Sequence, residues 1–87
     1  PCLSLAQWAI TQPGGMCVYS AANEVAVAAF LALGIRFTDI DRVIDHALRS
    51  VNLSEPSSLD AVKDLDSSAR VVAAEGVAAF AAAHQDL

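Results

Sequence analysis

The side chains with chemistry beyond packing are the thiols Cys2 and Cys17, the histidines His46 and His84, and two groups of carboxylates, Asp39 with Asp41 and Asp60 with Asp64 and Asp66. None has the spacing its chemistry demands. A zinc site needs Cys and His ligands paired at short intervals, and neither the thiols nor the histidines are so arranged. Both histidines are expected at the surface. A calcium loop alternates acidic residues around a glycine and closes on a glutamate, which neither acidic group does. Those carboxylates are better read as helix starts and solvated faces. A nucleophilic cysteine or serine needs a positioned base, and neither a GxSxG elbow nor a local Cys/His signature occurs. Cys17 is expected as a small core residue, and both thiols as free and mostly buried. Pyrophosphate binding needs a glycine loop such as GxGxxG or GxxxxGK[ST]; the one glycine cluster is Gly14-Gly15, and the one lysine, Lys63, stands among acidic residues. No catalytic, cofactor-binding or metal-ligating residue is therefore expected within this segment.

One polar constellation remains, Tyr19-Ser20-Ala21-Ala22-Asn23-Glu24, which leads into an apolar run. In one reading Ser20 caps a helix while Asn23 and Glu24 satisfy first-turn amides or a nearby arginine. In the other these residues form a contact at a domain interface.

The elements that position these groups read as helices, and no alternating run or hairpin dipeptide argues for a sheet. The fold class expected is all-α, a small bundle of four to five helices occupying residues 1–87 as a single domain. Leu3, Ala6 and Ile10 repeat at helical spacing and define a first helix over about 3–12, stopped by Pro13-Gly14-Gly15. After a linker, Met16 to Tyr19, a second helix runs from its Ser20 cap to Leu33, with Gly34 as the residue past its end. Its body from Val25 to Leu33 is apolar on every side, the pattern of a helix surrounded by others.

Thr38 and Asp41, in S/T-x-x-D relation, are expected to cap a third helix, whose stripe is Ile40, Val43, Ile44, Ala47, Leu48 and Val51. Asp45 and Arg49 form an i,i+4 pair on its outer side. Past the polar connection 52–57, Ser57 or Ser58 caps a short helix over about 58–65 with Leu59, Val62 and Leu65 inward. Asp66 then opens a further helix on the stripe Ala69, Val72, Ala73, Gly76, Val77 and Phe80, either continuous with the preceding one or kinked near Asp66. Gly76 on that stripe points to close approach of a neighbour, and the alanine-rich end is expected to fray beyond Ala83.

Composition sets the outer limits. The 87 residues suffice for one domain, and at 55% hydrophobic and 17% charged they exclude intrinsic disorder. Mean hydropathy of +0.47 is high for so small a unit, so part of the apolar surface is expected to face a partner. The run Val25 to Ile35 is too short to cross a bilayer. A net charge of -5 repels a phosphate backbone, which argues against nucleic-acid binding. The chain opens on Pro1-Cys2 with its only methionine at Met16, so it is expected to be a cut-out or processed piece, and nothing at its N-terminus marks secretion.

Three blocks carry a family resemblance: Ser20-Ala21-Ala22-Asn23-Glu24-Val25-Ala26-Val27-Ala28-Ala29-Phe30-Leu31, then Ile35-Arg36-Phe37-Thr38-Asp39-Ile40, then Asp66-Ser67-Ser68-Ala69-Arg70. They resemble the C-terminal region of 1-deoxy-D-xylulose 5-phosphate reductoisomerase, where the corresponding patterns read N-A-A-N-E-x-A-V-x-x-F-L, I-x-F-x-D-I and D-x-x-A-R in the same order. Pro1 to Ala6 resembles the P-x-L-x-L-A segment that precedes them. Ser20 departs from the pattern, which usually has asparagine there.

The resemblance implies a bacterial or plastid enzyme of non-mevalonate isoprenoid biosynthesis. That family converts 1-deoxy-D-xylulose 5-phosphate to 2-C-methyl-D-erythritol 4-phosphate with NADPH and a divalent metal, Mg or Mn, usually as a homodimer. Its cofactor, metal and substrate residues lie in domains that precede this region, so none is carried onto a position here. The segment is expected to be a structural arm of that enzyme, inactive alone, cytoplasmic or plastid, with the remaining domains as its partner. The alternative is a free-standing helical module that binds a protein partner through the same surface. A small-ligand sensor ranks below both, since no polar cluster would orient a ligand in the core.

Overall fold

In the computed structural model, which describes residues 2–85 and the side chains of residues 4–82, four helices follow one another: α1 Cys2–Ile10, α2 Gly15–Leu31, α3 Asp39–Ser50 and α4 Leu59–Gln85. The core forms where these stripes meet. Ile40, Val43, Ile44, Ala47 and Leu48 of α3 are all buried, as their spacing predicts, and they face Val18, Ala21, Ala22 and Ala26 of α2 and Ala69 and Ala73 of α4. Helices α2 and α3 are the central pair. Helix α1 packs on both from one side and α4 on both from the other, with no α1–α4 contact among the described residues.

Cross-links fix the directions. Cys17 meets Val62 and Glu24 meets Arg70, so α2 and α4 run parallel. Gly76 lies against His46, and Phe80 under Arg42 with the guanidinium 5.9 Å from the ring centroid, so α3 runs antiparallel to α4. The expected close approach at Gly76 is real, because a Cβ there would stand 3.1 Å from the His46 ring. His46 is exposed, as anticipated for a surface histidine; the side chain of His84 lies outside the described residues.

Helix α2 begins earlier than the sequence reading placed it. Met16 to Tyr19, expected as a linker, is helical, and Ser20 is an exposed mid-helix residue rather than a cap. The cause lies at Gly14, whose φ of 70° is a left-handed conformation that only glycine adopts without strain, so the chain reverses there and re-enters a helix at once. A Cβ at Gly14 would collide with the Ser54 carbonyl oxygen and one at Gly15 with the Ala9 carbonyl oxygen, so both glycines serve close packing. Helix α1 is correspondingly shorter than 3–12, ending at Ile10.

The end of α2 also shifts by one residue. Leu33, not Gly34, takes the left-handed position, at φ 64°. Its N–H bonds the Phe30 carbonyl at 2.9 Å and that of Gly34 bonds the Ala29 carbonyl at 2.9 Å, the two bonds of a Schellman motif. A left-handed leucine costs about 1–2 kcal/mol relative to an ordinary conformation. This stop leaves Ile35 buried immediately after it and brings Phe37 edge-on to Phe30, with ring centroids 5.7 Å apart.

At the start of α3 the expected Thr38–Asp41 box is absent, for Thr38 makes no side-chain capping bond. The acidic half of the box is Asp39. Its carboxylate accepts the Arg36 N–H at 3.1 Å while its own N–H bonds the Arg36 carbonyl at 3.0 Å, a reciprocal closure two residues upstream of the expected one. Asp39 is only 2% exposed, so the bond also satisfies part of a buried carboxylate that water does not reach.

Helix α4 is a single helix, which settles the open junction at Asp66. Ser58 caps it, accepting the Ala61 N–H at 3.0 Å. Asp66 does not cap a separate helix; it pairs with Arg70 one turn on, so an aspartate costs little in mid-helix. Leu59 and Val62 are exposed rather than inward; Leu65 is the first of the three to be partly covered. The alanine-rich end remains helical to Gln85 instead of fraying beyond Ala83.

Candidate functional site

The two polar blocks singled out in the sequence converge along the α2–α4 seam. Ala21 and Ala22 of the first block and Ala69 of the second are buried to within 1% exposure, and small side chains at these positions let the parallel helices approach. At the rim Arg70 joins the blocks: its Nη2 donates to Glu24 Oε2 at 2.5 Å and its Nε to Asp66 Oδ2 at 2.8 Å. The arginine foreseen near Glu24 is thus Arg70, although Glu24 lies in mid-helix and not in a first turn. The hydrogen bonds from Arg70 to Asp66 and Glu24 hold the guanidinium protonated far above any working pH. With both carboxylates engaged, this group acts as a clasp between helices rather than as an anion receptor.

Cys17 lies on the same seam, about two turns from Glu24 toward the N-terminal end of α2. It is half-buried and free, and its thiol points to the Val62 carbonyl oxygen at 3.9 Å. Burial and, secondarily, the nearby Asp66 carboxylate push its ionisation upward, so the thiolate that a nucleophile requires forms only in alkaline solution. The sign follows for stability: the folded state holds the thiol proton more tightly, so this contribution is complete below the unfolded thiol's range and declines as pH rises through the folded one.

Asn23 and Tyr19 leave the seam. Tyr19 is half-buried and partnered. Asn23 and Val27, one turn apart, form one wall of a groove of about 300 Å³ between α2 and α3, whose other wall is Phe37, Thr38, Ile40 and Asp41. This groove was not anticipated; the Asn23–Val27 spacing was its only trace. A wider opening of about 400 Å³, lined by Ser50, Asn52, Ser54, Asp64 and Ser68 among others, lies at the end where the 51–58 connection meets α4.

The acidic groups weighed as metal donors stay apart in role. Asp39 closes the α3 turn, Asp66 holds Arg70, and Asp60 and Asp64 are exposed on α4. Among the described residues no cluster of three or more His, Cys, Asp or Glu side chains could hold a metal ion. The glycine pair is packed against Ala9, Ser54 and Leu65, leaving no room for a phosphate. Among the described residues, then, neither the carboxylate groups nor the glycine pair is arranged to hold a divalent metal or a pyrophosphate. No helix among them is long and apolar enough to cross a membrane.

Fold and seam together define a helical domain built for packing, with its polar blocks committed to holding two helices in register. The family model described as the DXP reductoisomerase C-terminal domain matches residues 1–72, and the chain belongs to that family. It is 45% identical over 84 residues to the 1-deoxy-D-xylulose 5-phosphate reductoisomerase of Cupriavidus necator, covering 94% of this chain and 21% of that protein. The reductoisomerase of Cellvibrio japonicus is 45% identical over 74 residues (84% and 19%), and that of Baumannia cicadellinicola 47% over 72 residues (82% and 18%). The chain spans about one fifth of the length of these relatives.

Proposed function

We propose that this chain serves as the C-terminal structural domain of an enzyme that converts 1-deoxy-D-xylulose 5-phosphate to 2-C-methyl-D-erythritol 4-phosphate. NADPH and a divalent metal, Mg or Mn, are held by the preceding domains, and residues 1–87 form one helical domain that supplies no group to the reacting atoms. The enzyme works as a homodimer in the cytoplasm of a bacterium or in a plastid. The observation that carries this reading is the union of the Ser20–Leu31 and Asp66–Arg70 blocks through the Glu24–Arg70 clasp, inside a stretch matched by the reductoisomerase C-terminal family. It is supported by the engagement of Glu24, Asp66 and Arg70 with one another rather than with a ligand.

The test is NADPH oxidation in the presence of deoxyxylulose phosphate and Mg²⁺ or Mn²⁺. The full-length polypeptide should turn over and the 87-residue segment should not. Turnover by the segment alone would refute the structural role; an inert full-length polypeptide would refute the reaction.

A further inference from the structure

Leu31, Leu33 and Phe37 stand within seven residues of one another at the α2–α3 corner and are 73%, 91% and 72% exposed. Leu33 occupies the left-handed position in which glycine would be at home, so the corner is both strained and wet. The other large exposed apolar side chains are Trp8 and Ile10 on α1, Met16 at the start of α2, and Leu59, Val62 and Val71 on α4, none more exposed than these three. Phe37 lines the 300 Å³ cleft together with Asn23 and Val27, and Leu31 continues the Val27 side of α2 one turn further. An apolar cleft with a carboxamide at its edge suits an inserted apolar side chain, because the Asn23 amide can donate to and accept from the main chain beside it.

We propose that this corner is the seat on which the preceding part of the same polypeptide docks, through apolar side chains placed in the Asn23–Phe37 groove. The inference rests on the reading that the chain is the C-terminal domain of a longer enzyme. Length argues for this occupant: the matched relatives are about five times longer, and the matching family model is of a C-terminal domain. Size argues against a second copy. A stable dimer engages roughly 20–30 residues a side, whereas a covalently attached neighbour, at an effective concentration near the millimolar range, is held by a much smaller patch.

Hydroxyl-radical footprinting of the full-length polypeptide, native and urea-unfolded, read residue by residue by mass spectrometry, tests the seat without any substitution. Leu31, Leu33 and Phe37 should be modified about tenfold more slowly in the native protein than in the unfolded one. Leu59 and Val71, 70% and 61% exposed here, should stay near their unfolded rates and calibrate the comparison. Equal native rates at the corner and at Leu59 and Val71 would overturn the proposal, as would protection that disappears on dilution, which would mark a second copy instead. Failure here is separable from failure of the enzymatic reading: an active polypeptide with an unprotected corner loses only the seat, and an inert one with a protected corner loses only the reaction.

Discussion

Helices α2 and α3 lie side by side in the centre of the bundle and solve burial in opposite ways. Past the buried Asp39 at its start, helix α3 puts large branched side chains inside and Arg42 and Arg49 outside, with Asp41 and Asp45 at the margin. Helix α2 is apolar nearly throughout, yet what it buries is mostly alanine, while Leu31 at its end is 73% exposed. In α3 hydrophobicity supplies volume to the core. In α2 it supplies closeness on one side and an uncovered surface on the other, which is how a domain with a neighbour is expected to differ from a free-standing one.

Substitutions that trade the two strategies would break or sharpen this contrast. Ile44→Ala removes the largest fully buried side chain of α3 and should lower unfolding free energy by about 2–5 kcal/mol, read as a shift in urea midpoint at constant slope. A smaller loss would mean that the core collapses around the gap and that α3 does not dominate it. Ala22→Leu forces volume into the α2 seam, where Ala22 is 0% exposed, and should cost about 1–3 kcal/mol. If thermal melting showed no change, closeness would not be what α2 contributes. Leu31→Ser, despite deleting a large apolar group, should alter the segment's own stability by less than about 0.5 kcal/mol, since nothing in the segment covers that side chain. A clear destabilisation in the same melting assay would show that Leu31 belongs to the core after all.

The same contrast explains what could be read in advance. The period of α3 was unambiguous because Ile40, Val43, Ile44 and Leu48 are bulky and buried while Arg42 and Arg49 stand outside. The stripe of α4 from Ala69 to Phe80 was legible from its i, i+3, i+4 spacing, helped by Gly76. The start of α2 was not, because Pro13-Gly14-Gly15 reads as a break of unknown length, and only the φ of Gly14 shows that the chain turns and resumes at once. The continuity of α4 through Asp66 depended on a salt bridge to Arg70, which an Asp at that position neither requires nor excludes. The clasp itself joins residues 46 apart in sequence, and no local pattern reports such a meeting. Asp39 has the sequence position of a helix-start carboxylate; its near-complete burial goes with that of Ile35 and Ile40 on either side of it, which its own residue type does not report.

The parallel course of α2 and α4 has a consequence for how the chain assembles. Parallel neighbours cannot be joined by a tight turn, so α4 reaches its place only after the chain has travelled up α3 and back. Bringing Glu24 to Arg70 closes a loop of 46 residues. The entropy of that closure exceeds that of the short α2–α3 corner by about 1.5 kcal/mol. The clasp therefore costs more to close than either of the short connections 32–38 and 51–58, and it ties the first and last helices of the α2–α3–α4 run directly to each other.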